Sequence, residues 1–339
     1  MSLTNIIIAI LVLGLIVLIH ELGHFILAKL NDVNVEEFSI GMGPKILGFT
    51  GKETQYSLRI LPIGGYVKML GEQEKSDDVR AYNNKSPLRR LSIVSAGPIM
   101  NIILAVILYA IITGTSGYYS KRISSIVPNS PAEKAGVKAG DVIVKANNST
   151  MITSDDFSLK MYLNKGNPIN VIVKRNGETK SFNLTPMKDT KENRYLIGVG
   201  FTNVKNPSVI ESIKYGFSET AFMVKEVFIS LKMLFTGKLS AQDVSGPVSI
   251  IRVTGAAANA GLITLINFMA FLSANVGLFN LLPIPALDGS YVLLFLFQII
   301  TGKKVDDDKV GVINTIGFAL LMALMVIVTI KDILYPLKI

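Results

Sequence analysis

His20 and His24 stand four residues apart, and Glu21 directly follows the first. They are the only 2 histidines in 339 residues. On a helix, side chains at this spacing leave nearly the same face, so both imidazoles address one point. Glu21 lies about 100° further round. This is the H-E-x-x-H arrangement, which supplies two imidazole nitrogens to zinc and a carboxylate beside the water that zinc activates. A surface helix can carry the pattern by accident, but here it stands in an apolar run. Ile6 to Ile19 carries no charge, and Phe25-Ile26-Leu27-Ala28 resumes the apolar character. Ionisable groups in such a setting are costly and need a reason. The structural alternative is a pair of histidines hydrogen-bonded inside a helix bundle.

A catalytic zinc takes three protein ligands and keeps one position open. There is no cysteine, so the third ligand cannot be a thiolate, and no disulfide or thiol nucleophile exists. Asp288 is the candidate. It ends Asn280-Leu281-Leu282-Pro283-Ile284-Pro285-Ala286-Leu287-Asp288-Gly289, between two apolar stretches. The two prolines break the helix, so backbone and carboxylate can turn inward, which membrane depth tolerates only where protein or a cavity surrounds them. Asp288 could equally cap the next helix, and both roles can hold for different oxygens.

The elements that must position these groups are mostly apolar. Half of the chain (50%) is hydrophobic, gathered in blocks as in a membrane protein. Spans are expected over residues 3–30, Leu91–Ile112, Leu262–Leu282 and Val312–Ile330. A cleaved signal peptide competes for the first. Met1 to Asn5 has no basic residue, and cleavage would discard both histidines, so the segment is read as retained. The net charge of +9 fits a bilayer surface rather than nucleic acid. Arg89-Arg90 marks the cytoplasmic side of the second span.

Three further stretches are legible. Tyr56–Leu61 and Tyr66–Leu70 alternate around Pro62-Ile63-Gly64-Gly65 and predict a hairpin, either a lid or an exposed edge able to pair with an extended peptide. Ile210, Ile213, Phe217, Ala221, Val224, Phe228, Leu231 and Phe235 recur three and four apart, interrupted by Lys214, Lys225, Glu226 and Lys232, which predicts an amphipathic helix rather than a span. Residues 121–188 combine a short helix, Ser130 to Val137, with strands flanking the hairpin signal Arg175-Asn176-Gly177-Glu178. With Gly136-x-x-x-Gly140-Asp141-x-Ile143, this region resembles a PDZ domain of bacterial membrane and envelope proteases. Such domains bind peptide ends or strands; a spacer or size filter is the alternative. Ser95-Ala96-Gly97-Pro98 with Asn101 reads as a close helix-packing surface.

Taken together, the chain resembles the site-2 proteases, intramembrane zinc metalloproteases, in the bacterial branch with a PDZ domain between the second and third spans. The likeness covers nearly the whole chain. His20-Glu21-Leu22-Gly23-His24 fits the family's first motif, and Asn280 to Gly289 fits Asn-x-x-Pro-x-Pro-x-Leu-Asp-Gly. The resemblance implies that His20, His24 and Asp288 bind Zn2+ and that Glu21 is the general base. It implies that the 56–70 hairpin, with Gly64, Gly65 and Tyr66, pairs with substrate beside the site and that Asn280 helps hold it. The implied fold class is a polytopic α-helical membrane protein of about four transmembrane helices, with an inserted α+β PDZ domain and a membrane-associated β-hairpin.

The expected divisions are 1–30 (span with the histidines), 31–90 (cytoplasmic loop and hairpin), 91–114 (span), 115–205 (PDZ), 206–261 (amphipathic linker), 262–301 (span with Asp288) and 302–339 (last span). The implied partners are the lipid bilayer, single-span membrane protein or peptide substrates, and a site-1 type protease that cuts first. Anti-sigma factors, remnant signal peptides and pheromone precursors are substrates in the family. The implied location is a bacterial plasma membrane, with the active site toward the cytoplasm and the PDZ domain outside. Two departures stand out: one PDZ domain where some relatives have two, and Ser290-Tyr291 where a second glycine is common. A transporter using intramembrane His and Asp would call for more spans and an internal repeat. A silent PDZ scaffold would leave Glu21 without a role.

Overall fold

The computed structural model describes residues 2–72, 74–189, 194–238 and 245–336, without the side chains of residues 62, 63, 307 and 308. Parts of five expected segments therefore lie outside the described residues: residue 1 of the first span, 73 of the cytoplasmic loop, 190–193 of the PDZ range, 239–244 of the linker and 337–339 of the last span. Two compact units emerge, one from Met1–Leu108 with Glu226–Ile339 and one from Tyr109–Lys225. The second begins before and ends beyond the 115–205 expected for the inserted domain.

The first unit is mainly helical. α1 (Leu3–Leu30) starts where Ser2 accepts a hydrogen bond from Asn5 N and ends at Asn31. α2 (Pro87–Ser116) opens on a proline, a residue preorganised for the first helical turn. After the second unit come α6 (Pro247–Ala260), α7 (Leu262–Leu281), α8 (Asp288–Thr301) and α9 (Asp307–Leu334). Leu3–Leu30, Pro87–Ser116, Leu262–Leu281 and Lys309–Leu334 are each long and apolar enough to cross a membrane. At about 1.5 Å per residue, even a 20-residue helix matches the hydrocarbon thickness of about 30 Å. α8, with 14 residues, does not. The outer surface of α9 exposes Ile313, Ile316, Phe318 and Leu320, an apolar face unlike that of a monomer in water.

Between α1 and α2 lie β1 (Val35–Thr50) and β2 (Gln55–Met69). Their pairing corrects the expected hairpin. Tyr56–Leu61 and Tyr66–Leu70 do not pair with each other. Phe38 lies opposite both Val67 and Tyr56, and Ile40 opposite both Gly65 and Leu58. Phe49 then pairs with Tyr56 on the far side. Val35–Ile40 thus separates the two runs that the alternation had joined. Gly41 (φ +86°), Gly43 (φ +84°) and Gly64 (φ +88°) supply the bends in a conformation that only glycine adopts without strain. The sheet packs Phe38, Val67 and Met69 against Ala28, Ile93 and Phe295.

The 206–261 segment also differs from its reading as a linker. α6 belongs to the helical unit, with Thr254 fully buried and Gly255 against Asn5 of α1. Asp332 of α9 fixes its start, accepting from Gly246 N at 2.9 Å and Ser249 N at 2.8 Å. Only α5 (Val209–Phe235) corresponds to the expected amphipathic helix.

The second unit is β-rich. It contains β3 (Tyr118–Ile126), α3 (Pro131–Lys134), β4 (Val142–Ala146), β5 (Ser149–Thr150), α4 (Ser154–Asn164), β6 (Ile169–Arg175), β7 (Glu178–Leu184), β8 (Met187–Asp189), β9 (Arg194–Leu196) and β10 (Val199–Val204). The main sheet runs β10-β3-β4-β6-β7, with β5 on β4, over a core of Ile123, Ile143, Met151, Ile169 and Val173. Asn176 and Gly177 take positive φ at the predicted turn, and Arg175 faces Glu178. The Gly136–Ile143 motif has a visible cause. Its Asp141 is fully buried and accepts from Arg175 Nε at 2.6 Å, Arg175 Nη2 at 2.8 Å and Lys138 N at 2.9 Å. Burial alone would raise the Asp141 carboxyl pKa, but these hydrogen bonds reverse the shift and hold it below the ordinary value. A cavity of about 600 Å³ lies beside α4, lined by Phe157, Met161, Tyr162, Ile197, Val199 and Phe201.

Candidate metal centre

His20 and His24 occupy successive turns of α1, and Asp288 opens α8. Their inner atoms converge. His20 Nε2 is 3.0 Å from Asp288 Oδ2, His24 Nε2 is 3.5 Å from the same oxygen, and the two Nε2 atoms are 3.2 Å apart. Tetrahedral zinc with bonds of about 2.0–2.1 Å sets its ligand atoms about 3.3 Å apart. The three donors are therefore spaced as edges of one such tetrahedron, and they form a group able to hold a metal ion.

The backbone of α2 leaves room for it. A Cβ on Gly97 would stand 2.8 Å from His20 Nε2 and closer still to His24 Nε2. Gly23 of α1 gives the reciprocal clearance, since a Cβ there would meet the Ala96 carbonyl. Outside the centre, His24 Nδ1 lies 2.9 Å from Ile93 O and His20 Nδ1 lies 3.3 Å from Asn101 Nδ2. Both partners lie on α2.

Asp288 is aimed by a turn held on α9. Ala286 takes φ +74°, a strained value for a residue with a side chain. Its N–H donates to Asn314 Oδ1 at 3.1 Å, and Gly317 accepts Pro285 where a Cβ would clash. Ser290, the departure from the second glycine, donates to Leu287 O at 2.8 Å and faces Asn314 Oδ1 at 3.4 Å. It stabilises the turn from within.

Against this frame the chain can be placed among known proteins. The model of peptidase family M50 matches residues 8–324. The chain belongs to peptidase family M50. The M50 chain is 64% identical over 338 residues, 100% of both, to a Clostridium acetobutylicum protein with a provisional zinc metalloprotease name. It is 31% identical over 413 residues to the zinc metalloprotease RasP of Geobacillus kaustophilus, covering 98% of each. It is 30% identical over 417 residues to the regulator of sigma-W protease RasP of Bacillus subtilis, covering 98% and 99%. The resemblance to site-2 proteases is thereby borne out, and with it a metalloprotease activity.

The remaining expected residues of this M50 chain fall in two places. A Cβ on Gly65 would lie 3.1 Å from Glu21 Cγ and 2.8 Å from Ser39 O, so β2 approaches α1 at Glu21. Tyr66 is the next residue, but its hydroxyl donates to Glu37 Oε2 at 2.6 Å, with Arg59 on the other carboxylate oxygen at 2.7 Å. Asn280 is half-buried near the end of α7. Among the described residues it makes no hydrogen bond to Gly64, Gly65 or Tyr66. A polar network closes the end of α1: Lys29 meets Glu53 at 2.6 Å, and Arg80 meets Glu53 at 2.8 Å and Asp32 at 3.0 Å. Sequence reasoning missed the parts played by Gly97 and Asn101, assigning both to packing. A buried amide in an apolar span was the signal available.

Proposed function

We propose that the chain is an intramembrane zinc endopeptidase cutting transmembrane segments of membrane proteins already shortened by a first protease. The observation that carries the reading is the convergence of His20 Nε2, His24 Nε2 and Asp288 Oδ2 beside Glu21 and the Gly65 backbone. These residues fit zinc in donor type, spacing and clearance. Bound zinc would lower the pKa of its water toward about 7 and polarise the scissile carbonyl. Glu21 would accept the proton of the attacking water and return it to the leaving amine. Among the described residues, Gly65–Met69 has a strand partner on one side only, Val35–Ile40. An unwound substrate could add to the other edge, recovering the backbone hydrogen bonds that its helix gave up.

The charged network at Lys29, Glu53, Arg80 and Asp32 belongs in water. It lies five residues beyond His24, about 7.5 Å along the helix, so water can reach the centre from that end. With Arg89-Arg90 this favours the cytoplasmic side. We read the second unit as a PDZ-type domain on the opposite side, filtering substrates by the size of their outer portion. Anti-sigma factors are one candidate substrate class, since the Bacillus subtilis relative is named for regulation of sigma-W.

Glu21→Gln tests the reading in detergent-purified protein. Zinc content should stay at the unaltered level while cleavage of a single-span substrate falls by several orders of magnitude. Loss of zinc together with activity would make Glu21 a ligand and overturn its role as base.

A further inference from the structure

Asn101 lies in α2, one turn beyond Gly97, and is 0% exposed. Its backbone carbonyl accepts from Ser273 Oγ of α7 at 2.8 Å, which fixes the segment that carries the amide. The side-chain Nδ2 stands 3.3 Å from His20 Nδ1, and Oδ1 is buried with no hydrogen-bond partner among the described residues. An unpaired amide oxygen is costly in an apolar interior. An alanine or leucine would fill the space without that cost, so packing does not explain the residue.

The two histidines are supported differently. A carbonyl can only accept, so the 2.9 Å contact with Ile93 O requires the hydrogen of His24 on Nδ1. Nε2 then keeps its lone pair directed at the centre. His20 needs the same tautomer to act as a ligand through Nε2, and its Nδ1–H must then face an acceptor. A half-turn of the Asn101 amide exchanges its nitrogen and oxygen and brings the unpartnered Oδ1 opposite His20 Nδ1. The amide can thus donate to Nδ1 when the ring hydrogen is on Nε2, or accept from it when Nε2 is free to bind.

We propose that Asn101 is a positioning residue, which fixes the tautomer and orientation of His20 by presenting its amide oxygen to Nδ1–H when the metal is bound. The inference rests on the zinc reading above. Partners of this kind to metal-bound imidazoles govern ligand basicity and ring orientation, and their removal weakens metal affinity by about 10–100-fold.

The test compares zinc affinity, by chelator competition, across the detergent-solubilised full chain and its Asn101→Leu, Asn101→Ala and Asn101→Asp variants. Leu and Ala should weaken binding by about 10–100-fold. Asp retains an acceptor oxygen at the same place and should bind within a few-fold of the unaltered chain, or more tightly. The visible spectrum of the cobalt(II)-substituted protein should be preserved in the Asp variant and altered in the other two. Unchanged affinity in Leu and Ala would overturn the proposal. So would an Asp variant as weak as Leu, because the site would then need the amide's packing and not its acceptor. Should the Leu variant fail to fold, the Ala and Asp pair decides alone. An unaltered chain that binds no zinc would instead sink the zinc reading itself.

Discussion

Two sets of buried ionisable groups, one in each unit, are held in opposite ways. In the β-rich unit Asp141 and Asp156 each have a cation of their own: Asp141 is gripped by Arg175, and Asp156 receives Lys225 Nζ at 2.7 and 2.8 Å. In the helical unit, His20, His24 and Asp288 face one another with no Lys or Arg among them. A buried acid with its counter-charge is complete and reads as part of the fold. Three donors aimed at one point, backed by a bare Gly97, are a group that could hold a cation, as proposed above. Accounting for partners therefore separates structural charge from functional charge more sharply than burial does.

The largest expected effect is at the backbone of α2. Gly97→Ala places a methyl between the two Nε2 atoms and should eliminate both bound zinc and cleavage, while the melting transition persists. Full zinc occupancy in that variant, read by metal analysis, would break the distinction at its centre. The opposite pattern belongs to Arg175→Ala. Leaving Asp141 buried and unpaired should cost the β-rich unit about 3 kcal/mol, the lower end for such pairs since the arginine is partly exposed, with zinc content unaffected.

The same pair carries a pH signature. The Asp141 pKa is depressed in the fold, so its stabilisation is present above the ordinary aspartate range and lost as pH falls through the depressed value. Arg175→Ala should remove that loss, making unfolding of this unit on acidification less steep by near-ultraviolet circular dichroism. A smaller effect is expected at Asn314→Ala. Ala286 N–H would lose its acceptor, at about 1–3 kcal/mol, and the strained turn would relax. Zinc affinity should fall less than in Asn101→Leu. A variant that binds zinc as the unaltered chain does would show that α9 is dispensable for aiming Asp288.

How much of this was legible depended on how local each relation is. His20, Glu21 and His24 belong to one helix, so spacing placed them. Asp288 was legible as an acid in a proline-broken stretch between two apolar segments, and its pairing with the histidines as what the family motif implies. Gly97 and Asn101 meet the histidines only because α2 crosses α1 there, a matter of tertiary packing that small residues suggest but do not specify. Strand alternation located Tyr56–Leu61 and Tyr66–Leu70 but not their partners, because register is set by what lies between them, here Val35–Ile40. Pro247–Ala260 is rich in small residues and followed an amphipathic run, so its identity as a helix of the core was hidden.

The placement of the three donors along the chain has a consequence in time. His20 and His24 are made in the first 24 residues, and Asp288 follows only in the last part of the chain. Synthesis proceeds from the N-terminus at about 5–20 residues per second, so for most of its growth the chain possesses two donors and an idle carboxylate. The third arrives with α8, and its aim depends on the Ala286 turn docking against Asn314 and Gly317 of α9, which is made later still. The proposed centre would thus stay incomplete in the nascent chain until α9 has been made and docked, so that its assembly reports on the folding of the helices around it.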